Sequence, residues 1–310
     1  MTFFTELGSV YLNALLPLFL YCGIGVIVQR SLELDRATLS RLSVYVLLPP
    51  LFFSNLMQVE VPTQDIFKVA AFCVLLLGGM ALIGRIYSSL VGFDSPTTSS
   101  AVLSVSFFNA VNLGFPVALF AFGQEGLLFA GLLVAVNAIP HNGFSMYVAA
   151  RGLMSREESL RSLARMPIFY VIGLAILFRM IGISVPESIM RPITSMGQAA
   201  IPLILISVGM ELASIQIHSL NLKLLGIVAL RLCVGPLIAL LISSLLGIDG
   251  LLQSVLILLA SMPSAMAPIV YARVFGGNVE SLTQAVFYST IGCFITLPIL
   301  LLLLERYLSL

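Results

Sequence analysis

Residues 101–122 read AVLSVSFFNAVNLGFPVALFAF, and this interrupted apolar stretch decides the fold. It is long enough to cross a bilayer as a helix, since ~20 residues rising ~1.5 Å each cover the hydrocarbon core. Its middle is wrong for an unbroken span, because Asn109, Asn112, Gly114 and Pro116 fall within eight residues of one another. Proline removes a backbone donor and clashes with the preceding turn, while glycine lets the chain leave helical geometry. The freed amides and carbonyls need partners, so irregular backbone at this depth survives only inside protein or along a cavity. A second stretch of the same kind, ASMPSAMAPIVYARVFGG, spans residues 260–277 and carries Pro263 and Pro268. Paired interruptions in two halves of a chain point to a binding site near the bilayer midplane.

Composition sets the class. Hydrophobic residues make up 59% and charged residues 9% of the chain, and the mean hydropathy is +1.10. Soluble domains carry about 25% charged residues, so an all-α polytopic membrane protein is expected, with the lipid bilayer as its solvent. The net charge of +1 and the lack of a Lys/Arg block argue against a nucleic-acid partner. Cys22, Cys73, Cys233 and Cys293 are scattered through apolar runs without a CxxC, which reads as buried small side chains, with no metal and no disulfide. The N-terminus has Glu6 and no basic residue before its first apolar run, the pattern of an uncleaved first span. No P-loop, HExxH or Ser/His/Asp arrangement is present, so neither an enzyme nor a cofactor is expected.

Ten apolar runs cover approximately 8–29, 38–57, 66–92, 98–122, 126–150, 166–183, 193–215, 222–247, 251–275 and 281–305, with a GQEG joint between the fourth and fifth. Joints after odd-numbered runs carry Arg30, Arg36, Arg41, Arg85, Arg151, Arg156, Arg161, Arg165, Lys223 and Arg273. The opposite joints carry Lys68, Arg179, Arg191 and Arg306. The positive-inside rule then places both termini outside an inner or cell membrane, and the 151–165 joint in the cytoplasm. The halves also repeat: SSLVGFD at 88–94 returns as SSLLGID at 243–249, and Phe122-Gly123 as Phe275-Gly276. Pro49-Pro50 has a counterpart in Pro202, and Pro140 one in Pro298. A five-span repeat enters the membrane from opposite sides, so 1–150 and 166–310 are expected to be inverted copies joined by 151–165.

If the fourth and ninth spans cross at their breaks, two half-helix N-termini approach each other, each with free N–H groups and about half a positive charge that favours an anion. Asn109, Asn112 and Ser264 can add neutral donors, or serve as polar glue between helices. Asn137 and His141 flank Pro140 in the fifth span. His141, about mid-span, is either a site residue or a neutral imidazole bonded to a carbonyl. Arg231 lies ~12 Å into the eighth span by helical rise, and either snorkels back to the cytoplasmic face or neutralises an anionic ligand.

These motifs together resemble the auxin efflux carrier family, which includes plant PIN-FORMED carriers and bacterial malate-permease-like proteins. Asn109-Ala-Val-Asn-Leu-Gly114-Phe-Pro116 is similar to the family's N-x-G-x-x-G-x-P crossover, with Val111 at the first motif glycine and Asn112 at a commonly apolar position. Arg165-Met166-Pro167, with Gly173, resembles the start of the sixth helix, although methionine replaces the usual asparagine. Met262-Pro263-Ser264-Ala265, Phe275-Gly276-Gly277-Asn278 and Thr296-Leu297-Pro298 match later segments. The resemblance implies ten helices in two inverted repeats and crossed broken helices 4 and 9. It also implies a scaffold of helices 1, 2, 6 and 7, often a homodimer interface, beside a transport domain of helices 3–5 and 8–10 that moves elevator-fashion. It implies export or exchange of a small organic anion, with Asn109, Pro116 and the Pro263–Pro268 segment bordering the substrate. A cation-coupled symporter of the bile-acid type and a non-transporting membrane receptor are the rival expectations.

Overall fold

The computed structural model describes residues 12, 15–57, 65–150, 167–215, 222–275 and 277–307. The expected N-terminal segment around Glu6, the 151–165 linker and Gly276 lie outside them. Among the described residues the regular elements are helices: α1 (Leu16–Leu32), α2 (Arg36–Leu56), α3 (Asp65–Val91), α4a (Ser95–Ser106), α4b (110–122), α5 (124–150), α6 (Pro167–Met180), α7 (Glu187–Ser214), α8 (Leu222–Leu245), α9a (Gly250–Ala260), α9b (Ala267–Phe275) and α10 (Val279–Tyr307). Among the described residues, six helical stretches are long and apolar enough to cross a membrane: Arg36–Leu56, Ile66–Val91, Ala110–Asn137, Glu187–Ser214, Leu222–Leu245 and Val279–Arg306. The apolar helices Leu16–Leu32, Tyr170–Met180 and Gly250–Ala260 are shorter.

Local chemistry fixes the boundaries. Asp94 caps α4a by accepting from Thr97 N at 3.0 Å, and hydrogen bonds from the Thr97 side chain and amide hold its carboxyl below the ordinary range. α3 ends at Gly92 (φ 73) and α8 at Gly247 (φ 59), left-handed positions that glycine takes at no steric cost. The closure after each is the same: Phe93 N donates to Ser88 O at 3.0 Å, and Ile248 N to Ser243 O at 2.9 Å. The repeated SSL-x-G-x-D sequence therefore builds one turn twice. The expected GQEG joint is narrower than its sequence suggests. Only Gly123 (φ 68, ψ −160) departs from helical geometry, while Gln124 and Glu125, both good helix formers, continue the helix.

Small residues set the packing. α1 lies against α7 with Gly25 and Gly209 at the contact; a Cβ on either would sit 2.0 Å from the facing Ile206 O or Cys22 O. α2 packs on α6 and α7, and α3 on α4a, α8 and the Phe115–Ala150 segment. α10 covers α4a and α8. Asn278 caps α10 through Ser281 N (3.0 Å) and ties it to α4a by donating to Thr97 Oγ1 (3.1 Å). Outward faces stay apolar, as Ile291, Ile295, Ile299 and Leu303 show at successive turns of α10. That stripe is unfavourable in water and suits contact with lipid.

Candidate functional site

The chain leaves helical geometry at Phe107–Asn109 between α4a and α4b, and at Ser261–Met266 between α9a and α9b. The two breaks pair with each other. Asn109 N donates to Pro263 O and Ala265 N to Phe107 O, both at 2.8 Å, forming an isolated antiparallel bridge between Phe108 and Ser264. Ser264, fully buried, donates its hydroxyl to Ser104 O at 2.8 Å and its amide to Ser289 Oγ at 3.0 Å. Amides released by the breaks thus find partners across the crossing, as their burial demands.

Asn109 is also the N-cap of α4b. Its Oδ1 accepts from Asn112 N at 3.2 Å, which commits the acceptor and leaves the Nδ2 donor as what the side chain can offer a ligand. Residues Ala110–Gly114 form a π-helical turn, a geometry common at functional sites. Gly114 lets α4b approach α9a, since a Cβ there would lie 2.4 Å from Leu259 Cδ2. Pro116 is buried just after the π turn, and Pro268 is the second residue of α9b, where its missing N–H is one of the helix's unpaired donors anyway.

A cavity of about 10 Å³ adjoins the crossing, lined by Phe72, Cys73, Leu76 and Leu77 of α3 together with Ser106, Phe108 and Asn137. It has room for about one water. Ser106 Oγ is buried on this wall without a hydrogen-bond partner among the described residues. Arg231, which does not line this cavity, also approaches Phe108 and is fully buried in a π-helical turn of α8 (Leu230–Val234). Its Nη1 donates to Val105 O at 2.6 Å and its Cζ is 5.6 Å from the Phe108 ring centre. The snorkelling alternative is therefore not what is observed: the guanidinium turns into the crossing.

The structure brings together Asn109, Asn112, Gly114, Pro263 and Ser264, with Asn137 on the cavity wall and Arg231 near the Phe108 ring. His141 lies on the Phe115–Ala150 helix, but its side chain is outside the described residues. The α3 residues of the cavity were not anticipated, because nothing separates them from lipid-facing neighbours in an apolar run. Ser104 and Ser106 did carry a signal as hydroxyls spaced by two in the broken span.

Residues 146–301 match the family described as membrane transport protein. The chain is 30% identical over 277 residues to an uncharacterized transporter of Methanothermobacter thermautotrophicus, covering 86% of this chain and 88% of that one. The chain belongs to the membrane transport protein family. This is the auxin efflux carrier family that the crossover motifs resemble, a family of transporters and not of enzymes. An uncharacterized transporter of Methanocaldococcus jannaschii is 27% identical over 266 residues, 81% of this chain and 84% of its own. Auxin efflux carrier component 1 of Arabidopsis thaliana is 30% identical over 122 residues, 39% of this chain and 19% of its own. The transporter is a multi-pass membrane protein by family and by its six long apolar helices.

Proposed function

We propose that this transporter is a secondary carrier for a small organic anion, working by alternating access around the paired breaks of α4 and α9. The observation that carries the reading is the pairing itself: two interrupted helices held to each other at Phe108 and Ser264 beside a small cavity. The N-terminus of α4b begins at this crossing and brings partial positive charge to it. The Nδ2 of Asn109 and the half-buried side chain of Asn112 add neutral donors without the cost of a second buried charge. Ser264, engaged at both its groups, holds the crossing together. Auxin efflux, for which the Arabidopsis relative is named, supports an organic acid as cargo and export as direction.

The architecture we propose for it is two inverted five-helix repeats, 1–150 and 166–310, joined by a cytoplasmic 151–165 linker with both termini outside the cell membrane. The repeated Gly92 and Gly247 closures and the two broken helices support it. The packing supports a scaffold of α1, α2, α6 and α7, which also offers a homodimer face, beside a transport domain of α3–α5 and α8–α10 that moves as an elevator. An anion at the crossing offsets the positive helix ends and permits that movement.

The test is thermal stabilisation of the purified protein by acetate, succinate and phenylacetate, repeated with Asn109→Ala. A ligand-specific rise that is lost in the variant supports the reading. A wild-type protein indifferent to all three, or an unchanged rise in the variant, contradicts it.

A further inference from the structure

Arg231 is a charged residue with no solvent exposure, and among the described residues no carboxylate pairs with it. Ionisable groups in membrane spans are retained for function, and a buried charge without a partner is costly. Only part of the guanidinium is satisfied. Nη1 is anchored to Val105 O near the end of α4a, and the Phe108 ring lies against the group. Nε and Nη2 are both buried with no hydrogen-bond partner among the described residues. These two nitrogens form one edge of the planar group, with N–H bonds that run side by side, the geometry that meets the two oxygens of a carboxylate.

A glycine lets the guanidinium pack between α8 and α9a. A Cβ on residue 235 would lie 2.7 Å from Arg231 Nη2 and 2.9 Å from Ala260 O, so a larger residue would displace either the fork or the backbone of α9a. Phe108 also lines the small cavity beside the crossing, so the guanidinium and the cavity share one neighbour. From this arrangement we propose that the Nε/Nη2 edge of Arg231 is the fork that takes the carboxylate of the cargo when the crossing opens during transport. The assignment rests on the carrier reading above and sharpens it: the cargo is selected as a carboxylate, and its primary amide is refused. Lysine at 231 would retain the charge and lose the two-point match.

The experiment compares phenylacetate with phenylacetamide, and succinate with succinamide, by thermal stabilisation of wild type, Arg231→Lys and Arg231→Gln. Stabilisation of wild type by a carboxylate but not its amide is expected, with affinity for the carboxylate at least ~10-fold weaker in both variants. Equal carboxylate affinity in wild type and Arg231→Gln overturns the fork and leaves the carrier reading standing. Silence of wild type towards every carboxylate overturns both. Should the variants fail to fold, the wild-type comparison decides instead. Stabilisation by the carboxylates and not by their amides supports the fork; equal stabilisation by both overturns it.

Discussion

Ser289→Ala tests whether the crossing is held by the bonds described. Ser289 is fully buried in α10, and its Oγ accepts from Ser264 N at 3.0 Å while donating to Val286 O at 3.0 Å. Alanine removes the acceptor and leaves a buried backbone amide unpaired at the break. Such an orphaned group costs about 1–3 kcal/mol. Large domains shift by roughly 2 °C per kcal/mol, so the melting temperature should fall by about 2–6 °C. Ser254→Ala is the matched control. Ser254 is equally buried, but its Oγ donates only to Gly250 O within its own helix, a carbonyl that keeps its place in the ladder. Its expected cost is under about 0.5 kcal/mol. The chain has no tryptophan, so a thiol-reactive dye reporting the buried Cys22, Cys73 and Cys293 suits the measurement. Equal shifts in the two variants would refute the claim that Ser289 secures the crossing.

Two further outcomes follow from local geometry. Gly123→Ala should destabilise by about 1–3 kcal/mol, because φ 68 and ψ −160 belong to a region open essentially to glycine alone; the surrounding space is empty, so a neutral result in a melt would remove the backbone argument. Asp94 has its carboxyl held below its ordinary value of 3.8 by Thr97, so its contribution is present above 3.8 and is lost as pH falls through the lower folded value. A stability profile that declines below about pH 4, and declines less in Asp94→Asn, is expected; identical profiles would contradict the cap.

The crossing was legible because polar, glycine and proline residues inside apolar runs conflict with an unbroken helix, and Asn109 to Pro116 carries that conflict in eight positions. The left-handed ends at Gly92 and Gly247 were legible as a repeated heptapeptide. What the sequence did not disclose was pairing at a distance. Nothing local joins Asn109 to Pro263 or Ser264 to Ser289, since those bonds depend on how α4, α9 and α10 stack. Arg231 shows the same limit. Helical rise put it inside the eighth span, but whether its flexible side chain ran outward or inward depended on Val105 and Phe108, more than a hundred positions earlier. The joint at 123–126 was misjudged in width because glycine alone supplies the break there, and the polar Gln124 and Glu125 are also good helix formers.

The central claim is that an organic anion crosses the membrane through this crossing. Counterflow of labelled succinate and phenylacetate in proteoliposomes holding wild type or Asn109→Ala tests it most directly. The account predicts saturable, carboxylate-specific exchange in wild type and a raised KM in the variant at equal protein incorporation. Exchange that is absent in wild type, or has the same KM in both proteins, would contradict it.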